Sequence, residues 1–286
     1  MLRHFDIAHA DGMAWYGLKR EGYPPKVREQ LQRDMEQAHA MGLISEREAE
    51  VDVFLSILSS LKQGHVTLVE VGAGWGEWCM ALVGALRNRI AGPSATYHCV
   101  GIEANQKHYA NMTKNFATLD GGDGSCEAWW GAVSDRMGFV KFDAGEIADE
   151  WCGGNISGGP FRGSRLLGKL WSFWHKAMGR TVDVSSLTLD GLAMDRVDIL
   201  HIDVQGAEEA VIRGAKDTLK RTRYVMIGTH GAGINRRLPS LLPDHRLMLN
   251  LLPGIAGALD GRLVRISKGQ DGLQLYGPVE NMGAVV

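Results

Sequence analysis

Cysteine is scarce: four residues, Cys79, Cys99, Cys126 and Cys152, in a chain of 286. None sits in the close pairs that chelate zinc or build a disulfide framework, which predicts reduced thiols and a cytoplasmic protein. No apolar run reaches the ~20 residues that span a bilayer, and Met1 to Asp6 carries no leader-like apolar stretch, so a soluble chain is expected. Repeats and low-complexity tracts are missing. So is an excess of one charge: 31 Lys and Arg face 33 Asp and Glu, a net charge of −2. That balance provides no global attraction to nucleic acid. No Asn-Pro-Pro-Tyr type block for base amino groups is present either, so a nucleic-acid substrate is disfavoured. What remains is a chain with 45% hydrophobic residues, long enough to bury one large core.

Val69-Glu70-Val71-Gly72-Ala73-Gly74-Trp75-Gly76-Glu77 reads as a buried strand, a glycine turn and the start of a helix. Glycines at 72, 74 and 76 tolerate positive φ and are expected to let backbone approach a ligand. A dinucleotide fingerprint wants Gly-x-Gly-x-x-Gly, and here Glu77 takes the last position. A carboxylate there repels a pyrophosphate, whereas a sulfonium cofactor tolerates Glu70 and Glu77. The turn favours S-adenosylmethionine over NAD.

The next strand, Tyr97 to Ile102, ends at Glu103-Ala104-Asn105, and helical spacing returns from Lys107 to Phe116. An acid at that strand tip can accept from both ribose hydroxyls. A third block, Val197 to Glu208, begins as an apolar strand and turns at Gly206 into a helix expected from Ala207 to Leu219. His201 and Asp203 share one face of that strand. Methyl transfer needs an oriented hydroxyl and a base, and the candidates are Asp203, His230 and His201. No ligand pair among Asp190, Asp203, His201 and His230 has diagnostic metal spacing, so no metal is expected.

Upstream, Pro24-Pro25 opens a helix that Gly42 stops, and the capping box Ser45 to Glu48 opens a second one through Val51, Phe54, Leu55, Leu58 and Leu61. These helices, residues 1–62, read as an extension packed on the sheet edge, with Trp15, Tyr16 and Tyr23 as alternative cover for an acceptor. Residues 63–286 form the catalytic domain, in which strands and helices alternate. Arg262 to Ile266 and Leu273 to Tyr276 read as its last antiparallel hairpin. Between Trp151 and Val182 no acidic residue occurs, while Arg162, Arg165, Lys169, Lys176 and Arg180 accompany Trp151, Trp171 and Trp174. This glycine-flanked insertion reads as a lid for an anionic acceptor, Arg162 and Arg165 meeting the charge and Trp171 stacking on a ring. A membrane-surface role for its basic amphipathic helix is the alternative.

Val69 to Trp78, Val100 to Phe116, Trp130 to Asp135, Ser186 to Gly191, Asp198 to Gly214 and Ile227 to His230 follow in the order that resembles the FkbM family of S-adenosylmethionine-dependent methyltransferases. The resemblance covers roughly residues 60–280. It implies a class I methyltransferase (Rossmann-like) fold: an α/β, doubly wound, mostly parallel seven-stranded sheet with a C-terminal antiparallel hairpin. It implies O-methylation of a hydroxyl on a sugar, glycan or secondary metabolite. It also implies a cofactor site of Glu70, Gly72, Ala73, Gly74, Trp75, Glu103, Ala104, Asn105, Ala132, Val133 and Asp203. The family's usual Glu-Pro-Asn is Glu103-Ala104-Asn105 here, which leaves ribose binding intact. Its usual Lys-x-Asp-x-Glu-Gly is His201-Ile202-Asp203-Val204-Gln205-Gly206, and both changes fall near the acceptor, where Gln205 is expected to bind substrate. A nucleic-acid methyltransferase and a non-catalytic cofactor-binding subunit are the competing readings. A homo-oligomer stays open.

Overall fold

The computed structural model describes residues 25–61, 64–87, 96–119, 123–143, 181–252, 257–259, 262–265 and 271–279. Arg162, Arg165 and Trp171, nearly all of the 151–182 insertion, and Trp15, Tyr16 and Tyr23 lie outside the described residues.

Helix α1 (Pro25–Ala40) ends ahead of Gly42, whose φ of +68° lets its amide turn back to the His39 carbonyl. A two-residue strand β1 (Ile44–Ser45) leads into α2 (Glu46–Leu61). The capping box forms as expected. Ser45 N and Oγ donate to Glu48 Oε2 at 2.8 and 2.7 Å, and Glu48 N donates back to Ser45 Oγ at 3.3 Å. The expectation of a helix lying on the sheet edge needs correction for α2. Ala49, Val51, Val53, Phe54, Leu55, Ile57, Leu58 and Leu61 are all buried, in one core with Leu68, Cys99, Ile199 and Met226. A helix apolar on most sides belongs inside.

From there the chain alternates. Strand β2 (His65–Val71) is followed by α3 (Glu77–Arg87), β3 (Thr96–Glu103), α4 (Gln106–Ala117) and β4 (Gly124–Trp130). Three short strands come next, β5 (Ala132–Val133), β6 (Gly138–Asp143) and β7 (Thr181–Leu187). Strand β8 (Val197–Ile202), helices α5 (Glu208–Arg213) and α6 (Lys216–Leu219), β9 (Thr222–His230), α7 (Ala232–Leu241) and β10 (His245–Leu251) follow. The last strands are β11 (Gly257–Leu259), β12 (Arg262–Arg265) and β13 (Asp271–Pro278).

The main sheet has seven strands in the order β4-β3-β2-β8-β9-β13-β10. Its first five strands are parallel, and β13 runs antiparallel to both of its neighbours. Strand β2 sends its crossover to β3 on one side and is flanked by β8 on the other, so the order reverses at β2 and β8. A crevice at the carboxyl ends of the strands follows from that reversal. Leu68, Ile199 and Met226 face α2 and α3, whereas Val69, Val71, Leu200, Ile202 and Ile227 face Val211, Ile212 and Leu238 of the helices beyond.

Two details differ from the sequence reading. The helix expected over 207–219 is two helices, because Gly214 ends the first and a Cβ there would lie 2.1 Å from the Ser134 carbonyl oxygen. The C-terminal antiparallel pair joins β13 to β10, with Leu247 opposite Tyr276. Residues 262–265 instead pair with β11 and β1 in a separate three-stranded sheet. The two strands of the closing pair are thus far apart in sequence, and adjacency along the chain misled the assignment.

Candidate active site

A cleft of about 500 Å³, partly open to solvent, lies at the carboxyl ends of β2, β3 and β8. Glu103 sits at the tip of β3, buried, with Oε1 accepting from Asn105 N at 2.6 Å and Oε2 from Gly74 N at 2.7 Å. Each oxygen keeps a further lone pair, so two hydroxyl donors can still be accepted. Burial pushes the Glu103 carboxyl up to about 7, against the lowering effect of its backbone donors. Ala104, Ile102, Ala132, Val133 and Phe142 form an apolar wall beside it, with Phe142 delivered by the small β5-β7-β6 sheet.

Of the expected cofactor residues, Gly72, Glu103, Ala104, Ala132, Val133 and Asp203 line this cleft, while Glu70, Ala73, Gly74, Trp75 and Asn105 do not. Glu70 instead binds the amides of Trp78 and Cys79 at 3.1 and 3.0 Å, tying strand β2 to the first turn of α3. Asn105 is the N-cap of α4, accepting from Lys107 N and His108 N. Ala73 is buried, and Trp75 packs on the His108 ring with centroids 5.0 Å apart. Gly74 acts through Glu103.

The glycines also have a different cause. They do adopt positive φ, at +75°, +54° and +78° for Gly72, Gly74 and Gly76. What a Cβ would strike, however, is the protein itself: Asp203 O at 1.8 Å from position 72 and the Phe116 ring at 2.4 Å from position 76. His108, Gly131, Val71 and Val204 line the cleft without having been singled out. His108 belongs to the first turn of a helix recognised from its spacing, and position in that turn was the available signal.

At the other end of the cleft, Asp203 follows β8 and reaches across to the end of β9. Its Oδ1 is 3.4 Å from Nε2 of His230, whose Nδ1 is 2.6 Å from Oε1 of Glu208. Glu208 is fully buried and also accepts from Gly206 N at 2.8 Å. Gln205, which lines the cleft, has φ +52°, a left-handed conformation that a side-chain-bearing residue rarely holds. The sequence reading named Asp203, His230 and Gln205 but passed over Glu208, although it stands in the same block.

His201 requires a correction. It shares a face with Asp203, yet it is buried beneath Trp78, ring centroids 5.2 Å apart, and does not line the cleft. Burial, with the Arg47 charge adding to it, drives its imidazole down to about 3. A ring that stays neutral and out of reach of the cleft is packing, not a base. Arg47 and Glu50 of α2 were missed altogether. Arg47 pairs with Glu50 at 2.8 Å and with Glu77, and burial raises the Glu50 carboxyl in a field to which Arg47, Asp203 and His230 all contribute. Their only sequence signal was their place in and beside the capping box. Among the described residues no group of three His, Cys, Asp or Glu is arranged to hold a metal ion.

The profile of the methyltransferase FkbM domain matches residues 70–253. The chain belongs to the FkbM methyltransferase family. This FkbM protein is thus a methyltransferase, and its strand order is that of the class I fold expected from the sequence. A Jannaschia sp. (strain CCS1) protein provisionally named a methyltransferase is 24% identical over 208 residues, covering 71% of this chain and 70% of its own. The 2-O-methyltransferase NoeI of Sinorhizobium fredii (strain NBRC 101917 / NGR234) is 25% identical over 222 residues, covering 73% of this chain and 84% of its own. Among solved structures, an FkbM methyltransferase of Methylobacillus flagellatus KT aligns with a TM-score of 0.46 at 12% identity, covering 91% of this chain and 62% of that one. The matched domain starts after α2, so Arg47 and Glu50 lie outside it.

Proposed function

We propose that this methyltransferase uses S-adenosylmethionine to methylate a hydroxyl on a sugar, glycan or secondary metabolite, with Asp203 and His230 at the reacting end of the site. One observation carries the reading: Asp203 lines the cleft that holds Glu103 and is 3.4 Å from His230, so a ribose acceptor and a carboxylate in contact with a histidine face one space. The residues fit the cofactor. Glu103 offers lone pairs to two ribose hydroxyls, and Ala132, Val133, Ile102 and Phe142 offer an adenine ring an apolar seat. When bound, S-adenosylmethionine supplies an electrophilic methyl group on a sulfonium.

The protein's part is to hold the acceptor oxygen in line and to take its proton. Orientation supplies on the order of 7–11 kcal/mol, and a positioned base adds roughly 10²–10⁴ in rate. Asp203, Glu208 and Glu50 gather acidic groups around His230, which favours an uncharged acceptor on this side. Recognition of an anionic acceptor therefore falls to Arg162, Arg165 and Trp171. The 2-O specificity in the name of NoeI supports a hydroxyl acceptor.

Calorimetry with S-adenosylmethionine, its demethylated product and NAD tests the cofactor, with micromolar binding expected for the first two and none for NAD. Labelled methyl transfer to neutral methyl glycosides and to their uronic acids tests the acceptor. Asp203→Asn and His230→Ala should each lower kcat by about 10²–10⁴ with cofactor affinity held within a few fold. Tight NAD binding, or full turnover by both variants, overturns the reading.

A further inference from the structure

Glu208 is a fully buried carboxylate whose polar contacts converge on one oxygen. Oε1 accepts from Gly206 N at 2.8 Å and contacts His230 Nδ1 at 2.6 Å, while Oε2 has no hydrogen-bond partner among the described residues. Taking a carboxylate out of water costs several kcal/mol, and among the described residues no Lys or Arg is paired with it to offset the cost. An apolar side chain would fill the same space at less expense. The turn that brings this carboxylate back is itself strained, with Gln205 at φ +52° and Gly206 at φ +98°.

Carboxylates face both ring nitrogens, Glu208 at 2.6 Å from Nδ1 and Asp203 at 3.4 Å from Nε2, so the single proton of a neutral ring goes to Nδ1, where the hydrogen bond is the shorter and better one. In the neutral ring Nε2 then carries the lone pair, and Nε2 is the atom turned toward Asp203, which lines the cleft. We propose that Glu208 is the positioning residue for His230 as general base: it fixes the Nδ1–H tautomer and stabilises the imidazolium formed during transfer. This rests on the O-methyltransferase reading above. In the step, Nε2 of His230 accepts the hydroxyl proton while the acceptor oxygen forms its bond to the methyl carbon. The carbon–sulfur bond breaks, its electron pair stays on sulfur, and the positive charge passes from the sulfonium to the imidazolium between Glu208 and Asp203. Among the described residues, Asp203 after β8, Glu208 of α5 and Glu50 of α2 are charged groups that act on His230, and Asp271 is its register partner on β13.

The test is long-range proton–nitrogen NMR of the imidazoles in the full-length ¹⁵N-labelled protein, with the His230 signals assigned by their loss in His230→Gln. The neutral His230 ring should carry its proton on Nδ1. In Glu208→Leu, which removes the acceptor facing Nδ1 and leaves Asp203 facing Nε2, the Nε2–H form should become the larger share, and kcat should fall about 10²–10⁴-fold while the affinity for S-adenosylmethionine stays within a few fold. A wild-type ring protonated on Nε2, or the same tautomer in Glu208→Leu, overturns the proposal. The wild-type spectrum decides on its own should that variant fail to fold. Failure of S-adenosylmethionine to bind would sink the underlying reading instead, and calorimetry separates that outcome from the tautomer result.

Discussion

Arg47 lies over the face of Trp78, its guanidinium carbon 4.5 Å from the ring centroid, while His201 packs on the same indole at 5.2 Å. A cation from α2 is thereby fixed beside the opening turn of α3, where Glu50 and Glu77 neutralise it. The helix ahead of the family domain and the glycine turn inside it form one electrostatic unit.

Arg47→Ala should therefore destabilise the protein by about 3 kcal/mol, because two half-buried carboxylates lose their shared partner. The urea midpoint, at constant m-value, measures this. Arg47→Lys should recover little of the loss, since an ammonium cannot stack flat on the indole and bind two carboxylates in different directions. Full stability in either variant would show that the cluster is solvated rather than buried.

Much of this architecture is legible in the sequence, for physical reasons. Strands β2, β3, β8 and β9 are short apolar runs ending at glycine or an acid, and the period-two and 3.6-residue patterns on either side are unambiguous. The capping box reads directly because its two residues contact each other across one turn. What is not legible depends on pairing between distant segments. The sequence does not state that β13 joins β10, or that α2 is enclosed by the sheet. The same limit applies within the site: Asp203 and His230 stand at strand ends, whereas the role of Glu208 appears only once α5 folds back on β9. His201 shows the reverse error, since sharing a face with Asp203 did not bring it to the cleft.

His201 should prove replaceable by an apolar ring. With its imidazole held near 3, the residue stays neutral across the physiological range. His201→Phe is expected to keep kcat within a few fold and to leave the pH profile of turnover unmoved. His201→Lys, although it restores the usual family residue, puts an ammonium into a buried site close to Arg47. A loss of about 3 kcal/mol or more in stability is expected, measured by thermal or urea unfolding.

If S-adenosylmethionine binds as proposed, Glu103 links its binding to pH. Its carboxyl is raised to about 7 by burial, and donation from ribose hydroxyls favours the ionised form. Binding must then release protons near pH 6.5, and affinity must rise as pH increases through about 7. Calorimetry in buffers of different ionisation enthalpy should report that release, and Glu103→Gln should abolish it while weakening binding roughly ten- to a hundredfold.

Glu70 makes stability depend on pH in the opposite sense from a salt-bridged carboxylate. Burial raises it from 4.5 to about 7, so the folded state holds more protons than the unfolded state between those values. The contribution is fully present below about 4.5 and is lost as pH rises through about 7. At roughly 1.4 kcal/mol per unit, the change is somewhat over 3 kcal/mol. Urea midpoints taken from pH 5 to pH 8 should fall in the wild type and fall less in Glu70→Gln.

Gly72 packs the glycine turn directly against Asp203. Its φ is +75°, and a Cβ there would sit 1.8 Å from the Asp203 carbonyl oxygen, far inside contact distance. Gly72→Ala must displace backbone on both sides, and the displaced residue is the one that meets His230. Stability should drop by several kcal/mol, and in whatever fraction folds, kcat should fall by more than the weakening of cofactor binding explains. Gly231 provides the comparison, because it also has positive φ but has nothing within 4 Å of its Cβ position. Gly231→Ala, at φ 117° and ψ 137°, should cost only the backbone strain of about 1–3 kcal/mol and leave kcat close to wild type. Equal losses from the two substitutions would mean that positive φ, rather than the Asp203 contact, is what Gly72 provides.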